Sequence, residues 1–247
     1  MNLCDQNWIV QAERHVENKV GRQVDSKRNL TIDAFFDFIC PWCLIGKRNL
    51  EKAIAVFGGL RPDAQVKVRW RSHQLLPYTP LNGLPYQDFC RERLGGPEAV
   101  IARRAEVQRA GSEAGIDFAF DRISVLPNTA AAHELIAFAA NRLGEAQRAT
   151  LVDRVLVAYF LEGEDIGDRE VLERLGQDCG LDGESLKTYL TQWVRRVDGI
   201  GRRVSRHQSR VRGVPHFVFS TGYTFSGVHS PEVIAALMVS ATRNRKN

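Results

Sequence analysis

Cys40 and Cys43, separated by two residues, lie between a run that reads as a strand and a run that reads as a helix. That junction constrains the fold more than any other feature of the chain. Leu30-Thr31-Ile32-Asp33-Ala34-Phe35-Phe36-Asp37-Phe38 is rich in β-branched and aromatic residues, as a buried strand is. After Cys40-Pro41-Trp42-Cys43 come Leu44, Ile45, Leu50, Ile54 and Phe57 at helical spacing, with Gly58-Gly59 as the expected stop. A second strand is predicted from Gln65 to Arg71, alternating around Val66, Val68 and Trp70. Strand, helix and strand in this order make a βαβ unit, whose strands are parallel.

The rest of the chain divides around this unit. Residues 1–29 are polar, with Val16, Val20 and Val24 spaced four apart, and read as a loosely held, poorly ordered N-terminal extension. From 85 to 210 the pattern is almost entirely helical. Pro97 suits a first turn, and Asn128 or Thr129 a cap before Leu135, Ile136 and Phe138. Leu151, Val152, Val155, Leu156, Tyr159 and Phe160 form a wide apolar face. Asp168 caps a further helix, and Leu186, Tyr189, Leu190, Trp193, Val194 and Val197 mark the last long one. Gly199-Ile200-Gly201 predicts a break in it, since glycine inside a helix costs about 1 kcal/mol against alanine. After Gly213 strands return: Val214 to Phe219, a turn at Ser220-Thr221-Gly222, then Tyr223 to Ser226 as antiparallel partner. Ser230-Pro231 opens a final helix. The predicted class is α/β, a βαβ unit and a later ββα unit interrupted by a large all-helical insertion.

Composition excludes several function classes. The 247 residues are 44% hydrophobic and 26% charged, an ordinary globular balance. A net charge of +5 is mild over this length and there is no long Lys/Arg run, so nucleic acid is not an expected partner. No window of about 18 uncharged apolar residues exists, so no membrane span is expected. The first residues carry Asp5, Glu13, Arg14, Glu17 and Lys19 in place of an apolar signal segment, and the expected location is cytoplasmic. In that compartment a close cysteine pair is catalytic or metal-binding more often than structural.

Zinc needs a second ligand pair, and the sequence offers neither another C-x-x-C nor paired histidines, so no metal is expected. Cys4, Cys90 and Cys179 stand alone and read as small hydrophobes. Redox exchange suits the remaining pair. A thiolate attacks a disulfide, and the free N–H groups at a helix start favour an anion at Cys40. Cys43, less than a turn further on, can fold back to resolve a mixed disulfide. Pro41 is tolerated where no N–H is needed, and Trp42 supplies shape and shielding.

Cys40-Pro41-Trp42-Cys43 at the first βα junction, with Val214-Pro215 opening a later strand, resembles the thioredoxin superfamily. The closer resemblance is to the DsbA family in its cytoplasmic, FrnE-like branch, related to the 2-hydroxychromene-2-carboxylate isomerases. It is carried by Asp37 through Lys47, Asn128-Thr129 with His133, Ala158-Tyr159-Phe160 through Asp165-Ile166, Gly180-Leu181-Asp182, and Gly213 through Phe219. The resemblance implies a thioredoxin fold over 30–84 and 211–247, an insertion domain over 85–210, and dithiol oxidoreductase activity. It implies that Pro215 is cis, facing the dithiol, and that Val214 and Pro215 bind substrate backbone. Only an X-Pro bond takes the cis form at small cost. Asp37 is then a candidate shuttle for the Cys43 proton, although a loop or cap role is the favoured reading. Relatives that use glutathione for transferase or isomerase chemistry have serine in place of the first cysteine, and an acidic-basic pair where this chain has Ser226-Gly227-Val228-His229. No resident cofactor is therefore expected, glutathione being a redox partner at most.

His73 and His216 read as satisfied structural histidines near the site. Arg202, Arg203, Arg206, Arg210 and Arg212 form the densest basic cluster, either a solvated face or a rim favouring acidic substrates. The expected function is thiol–disulfide exchange with protein or small-molecule disulfides. The alternatives are a glutathione-dependent isomerase or transferase acting on an aromatic molecule, and a binding module with an inert cysteine pair. An apolar helical insertion is compatible with a homodimer.

Overall fold

Alternation of side chains decides which face of the first strand is buried. In β1 (Leu30–Phe36) the residues Leu30, Ile32, Ala34 and Phe36 are sequestered, while Thr31, Asp33 and Phe35 are half-buried on the other side. The computed structural model describes residues 29–199 and 211–243. A helix, α1 (Pro41–Leu60), crosses over to β2 (Val66–Ser72), which pairs parallel with β1 from Leu30↔Val66 to Phe36↔Ser72. On the other side of β1 lies β5 (His216–Phe219), antiparallel, with Phe35 opposite His216, and β6 (Thr224–Ser226) completes the order β2-β1-β5-β6. The last helix, α8 (Pro231–Arg243), packs beside α1. One core therefore joins Leu30, Ile32 and Ala34 to Leu50, Ala53 and Phe57 of α1, to Phe217 and Phe219, and to Ile234 and Met238. Each of the leucine, isoleucine, phenylalanine and methionine side chains among them contributes about 1.5–3 kcal/mol of burial. On the opposite face Asp33 holds the guanidinium groups of Arg69 (2.6 Å) and Arg71 (2.7 Å) across the strand pair.

The expected stop of α1 at Gly58-Gly59 is displaced: the helix runs through both glycines to Leu60. Packing of Phe57 against the core outweighs their weak propensity. Arg61 ends the helix because it precedes Pro62, which disfavours helical geometry in its neighbour.

Between β2 and β5 the chain forms α2 (Tyr86–Leu94), α3 (Pro97–Ala114), α4 (Ala130–Ala139), α5 (Glu145–Val157), α6 (Arg169–Asp178) and α7 (Gly183–Gly199). Two short segments escaped the helical reading: β3 (Leu84–Pro85) pairs antiparallel with β4 (Val125–Leu126). The apolar face expected to continue through Phe160 does so by leaving α5 at Val157 for a π-helical turn over Ala158–Glu162. Asn128, not Thr129, supplies the cap of α4: its Oδ1 accepts the Ala130 N–H at 2.9 Å, while its Nδ2 donates to the Thr79 carbonyl. Asp168 caps α6 as expected, accepting the N–H groups of Glu170 and Val171. Gly176 lets α6 and α7 approach, since a Cβ there would collide with Leu186.

Residues 1–28, Ile200 and Gly201, and Arg202, Arg203, Arg206 and Arg210 lie outside the described residues, so the expectations for the extension, the helix break and most of the basic cluster fall there too. Among the described residues no helix is long and apolar enough to cross a membrane.

The helical segment and the sheet share a second, larger core. It contains Val155, Leu156, Tyr159, Phe160 and Leu135 and also takes in Phe36, Phe38, Cys40, Cys43 and Leu44. The cysteines therefore lie at the seam between sheet and helices. An ionic clamp holds the seam nearby: Lys47 of α1, only 2% exposed, lies 2.9 Å from Asp153 of α5, whose other oxygen takes Arg48 at 2.9 Å.

Candidate functional site

Cys40 occupies the N-cap position of α1 and Pro41 its first turn. The Cys40 N–H bonds back to the Asp37 carbonyl at 3.2 Å, and its own carbonyl accepts the Cys43 N–H at 2.9 Å. Both thiols are free and buried, 5% and 2% exposed. Cys40 sits where the unpaired N–H groups of the first turn and the macrodipole favour negative charge. Cys43 differs. Burial pushes its thiol well above the ordinary value, and its hydrogen bond to Cys40, the charge at Cys40 and the charge at Asp37 push the same way. The pair is thus asymmetric, with an outer sulfur at the helix tip and an inner one that holds its proton.

The Cys40 Sγ lies 3.6 Å from the Val214 carbonyl oxygen, the acceptor for its thiol. The Val214–Pro215 bond is cis. Gly46, a turn further along α1 than Cys43, makes room for this loop: a Cβ there would lie 3.2 Å from the Pro215 Cγ. A groove of about 490 Å³ runs along Arg212, Val214, Pro215 and His216, bounded by Ser226 and Gly227. β5 begins one residue after Pro215, two later than the predicted Val214, because proline donates nothing to a ladder. In place of an acidic-basic pair, Ser226 accepts or donates to His216 Nδ1 at 2.7 Å and His229 Nε2 lies 3.1 Å from the Ser226 carbonyl.

Trp42 is half-buried, and the Arg103 guanidinium of α3 stands 5.7 Å from its ring centroid. The helical segment thus reaches the C-x-x-C motif at Trp42 through a cation–π contact.

Asp37 is completely buried. Its Oδ1 accepts the Phe38 N–H at 2.8 Å and its Oδ2 the Leu75 N–H at 2.6 Å, so it does tie two loops together. Oδ1 also meets His133 Nε2 of α4 at 3.1 Å. The Asp37 amide and charge both act on Cys43. Sequence reasoning gave His133 no role of its own. One signal was present: a histidine in the apolar stretch Ala130–Ala139, three residues before Ile136 and so on a buried stripe. His216 is satisfied by Ser226, but His73 Nδ1 is buried with no hydrogen-bond partner among the described residues. Burial lowers the titration of His73, against the pull of Asp37, and burial and His73 lower that of His216. Among the described residues no group of three or more His, Cys, Asp or Glu could hold a metal ion.

The chain matches the family model described as DSBA-like thioredoxin domain over residues 31–239. It is 27% identical over 190 residues to the uncharacterized protein YwbO of Bacillus subtilis (strain 168), covering 76% of this chain and 85% of YwbO. A probable DsbA oxidoreductase from Streptomyces coelicolor superposes with a TM-score of 0.70 at 24% identity, covering 86% of this chain and 89% of that one. A 2-hydroxychromene-2-carboxylate isomerase superposes with a TM-score of 0.55 at 17% identity, covering 86% and 95%. These two likenesses show the fold.

Proposed function

The chain belongs to the family of DSBA-like thioredoxin domains, and from that premise we propose that it is a thiol–disulfide oxidoreductase acting on protein or small-molecule disulfides. The observation that carries this reading is the asymmetric pair at the tip of α1: Cys40 at the N-cap against the Val214 carbonyl, and Cys43 buried behind it. Cys40 attacks a substrate disulfide and forms a mixed disulfide. Cys43 then attacks the Cys40 sulfur, the substrate sulfur leaves, and the substrate has gained two electrons while the pair becomes a disulfide. Val214 and Pro215 line the groove beside Cys40, where extended substrate backbone can lie. Pro41 and Trp42 shape the approach, and Asp37 is the candidate acceptor of the Cys43 proton, its charge being felt at that thiol. No resident cofactor is needed. Glutathione serves as a redox partner in solution, and in the cytoplasm its reducing poise returns the pair to the dithiol.

The competing reading is a glutathione-dependent isomerase or transferase with an aromatic substrate, favoured by a fold shared with 2-hydroxychromene-2-carboxylate isomerase. Two cysteines count against it, since that chemistry spends no second sulfur. Insulin reduction in the presence of dithiothreitol separates the two. The wild-type chain is expected to accelerate it and Cys40→Ser to abolish the acceleration. Equal activity in the variant would reject the redox assignment.

A further inference from the structure

Resolution by Cys43 requires its proton to leave a site that water does not reach, because that sulfur is buried and its thiol is held protonated. The neighbouring carboxylate of Asp37 accepts a backbone N–H on each oxygen, from Phe38 and from Leu75. Both oxygens are thereby committed as acceptors, so the contact from His133 Nε2 to Oδ1 needs its proton on the nitrogen. Nδ1 of the same ring is buried and has no hydrogen-bond partner among the described residues. Phe36 and Phe38 enclose it, with ring centroids 5.4 and 5.0 Å away. Asp37 comes from the loop after β1, and His133 from the helical segment.

We infer that His133 is a positioning residue for the redox step: it holds the Asp37 carboxylate as the acceptor of the Cys43 proton, so that the helical segment supplies part of the dithiol's proton machinery. This rests on the oxidoreductase reading. In the mixed disulfide between Cys40 and a substrate sulfur, Cys43 passes its proton to the Asp37 carboxylate, which keeps its hydrogen bond from His133 Nε2. The Cys43 thiolate forms a bond to the Cys40 sulfur as the Cys40–substrate bond breaks. The departing substrate thiolate takes the proton from Asp37. The charge and protons balance, and no further reactant is required. The other titratable groups around the pair are Cys40 and Cys43 of α1, His73 after β2, and Tyr159 of the π-helical turn, with His216 beyond His73.

The reagent 5,5′-dithiobis(2-nitrobenzoate) separates the steps. Attack by Cys40 releases the first nitrothiobenzoate and resolution by Cys43 the second, each visible by absorbance. In His133→Ala the first phase is expected to keep its rate. The second is expected to slow by about tenfold or more near pH 7, a modest share of the range for general-base catalysis, and to recover as pH rises and Cys43 ionises without help from the pair. His133→Gln, which can keep an N–H toward Oδ1, is expected to restore part of the rate. Asp37→Asn is expected to slow the second phase alone, and adding His133→Gln should slow it no further. A second phase of wild-type rate and pH profile in His133→Ala would overturn the inference. So would a slow phase that neither alkaline pH nor glutamine relieves. If His133→Ala does not fold, His133→Gln alone decides: it must shift the pH profile of the second phase, or the inference fails. Absence of the first phase in the wild-type chain would instead overturn the oxidoreductase reading.

Discussion

At the scale of single residues, the two buried sulfurs of one motif differ in what lies beside them. Cys40 lies at the helix tip beside the groove, whereas Cys43 is enclosed on every side. Burial raises the Cys43 thiol above its ordinary value, so the folded chain binds that proton more tightly than the unfolded chain does. Its contribution to stability is complete below the unfolded value, about 8.5, and is lost as pH climbs from there through the folded value. Reduced protein is accordingly expected to lose stability between about pH 8.5 and 10, the upper bound set by the ordinary tyrosine value. Cys43→Ala, with no thiol to ionise, should lose less over that window. Denaturant midpoints measured across the window on both proteins check this, and parallel curves would show that Cys43 does not carry the effect.

At the scale of elements, α1 bears the site and α5 holds α1 in place. Lys47 has almost no exposure, so its charge depends on Asp153 and on Glu51 one turn along its own helix. Asp153→Ala removes the less exposed of the two carboxylates and leaves Lys47 with Glu51, which is itself 43% exposed. Removing one partner of a buried ion pair costs about 3–5 kcal/mol, and the retained Glu51 should bring the loss to about 2 kcal/mol. Urea unfolding of Asp153→Ala measures it. Adding Lys47→Met should recover most of the loss, because an apolar stem then fills the same space without an unpaired charge; no recovery would mean that packing, not charge, was lost.

The same elements show what could be read in advance. β1, α1 and β2 were legible because each keeps one period over seven residues or more, with the C-x-x-C pair as punctuation. The β3–β4 ladder pairs two residues with two, too few to show alternation. The π-helical turn at Ala158–Glu162 continues the apolar spacing of α5, so periodicity alone does not reveal it. Cys40, Cys43 and Pro215 could be picked out because their chemistry is local to a motif. The Asp37–His133 contact joins residues 96 apart and depends on how α4 docks on the sheet, which no spacing rule encodes.

At the scale of the molecule, the two cores are joined at the dithiol. Phe38 is completely buried, and its ring meets Phe36 of β1 and His133 of α4, each at 5.0 Å between centroids. Further bonds cross the same seam: Lys47 and Arg48 to Asp153, Lys52 to the Ala114 carbonyl at 2.9 Å, and Lys67 to Glu145. A chain of this length can unfold in stages if its parts are stable separately. Here the larger core contains residues of both parts, so neither can open without exposing the other's apolar surface. Unfolding is therefore expected to be one transition. Far-UV circular dichroism, dominated by the helices, and the fluorescence of Trp42 and Trp70 beside the sheet, read in a chain carrying Trp8→Phe and Trp193→Phe, should report the same midpoint. Phe38→Ala should lower both midpoints together, by the equivalent of about 3–5 kcal/mol for an aromatic removed from a core. If the fluorescence midpoint falls while the helical signal stays, the seam is a contact between independent units. In that case the helices could loosen from the dithiol without unfolding, and His133 could withdraw from Asp37 with them.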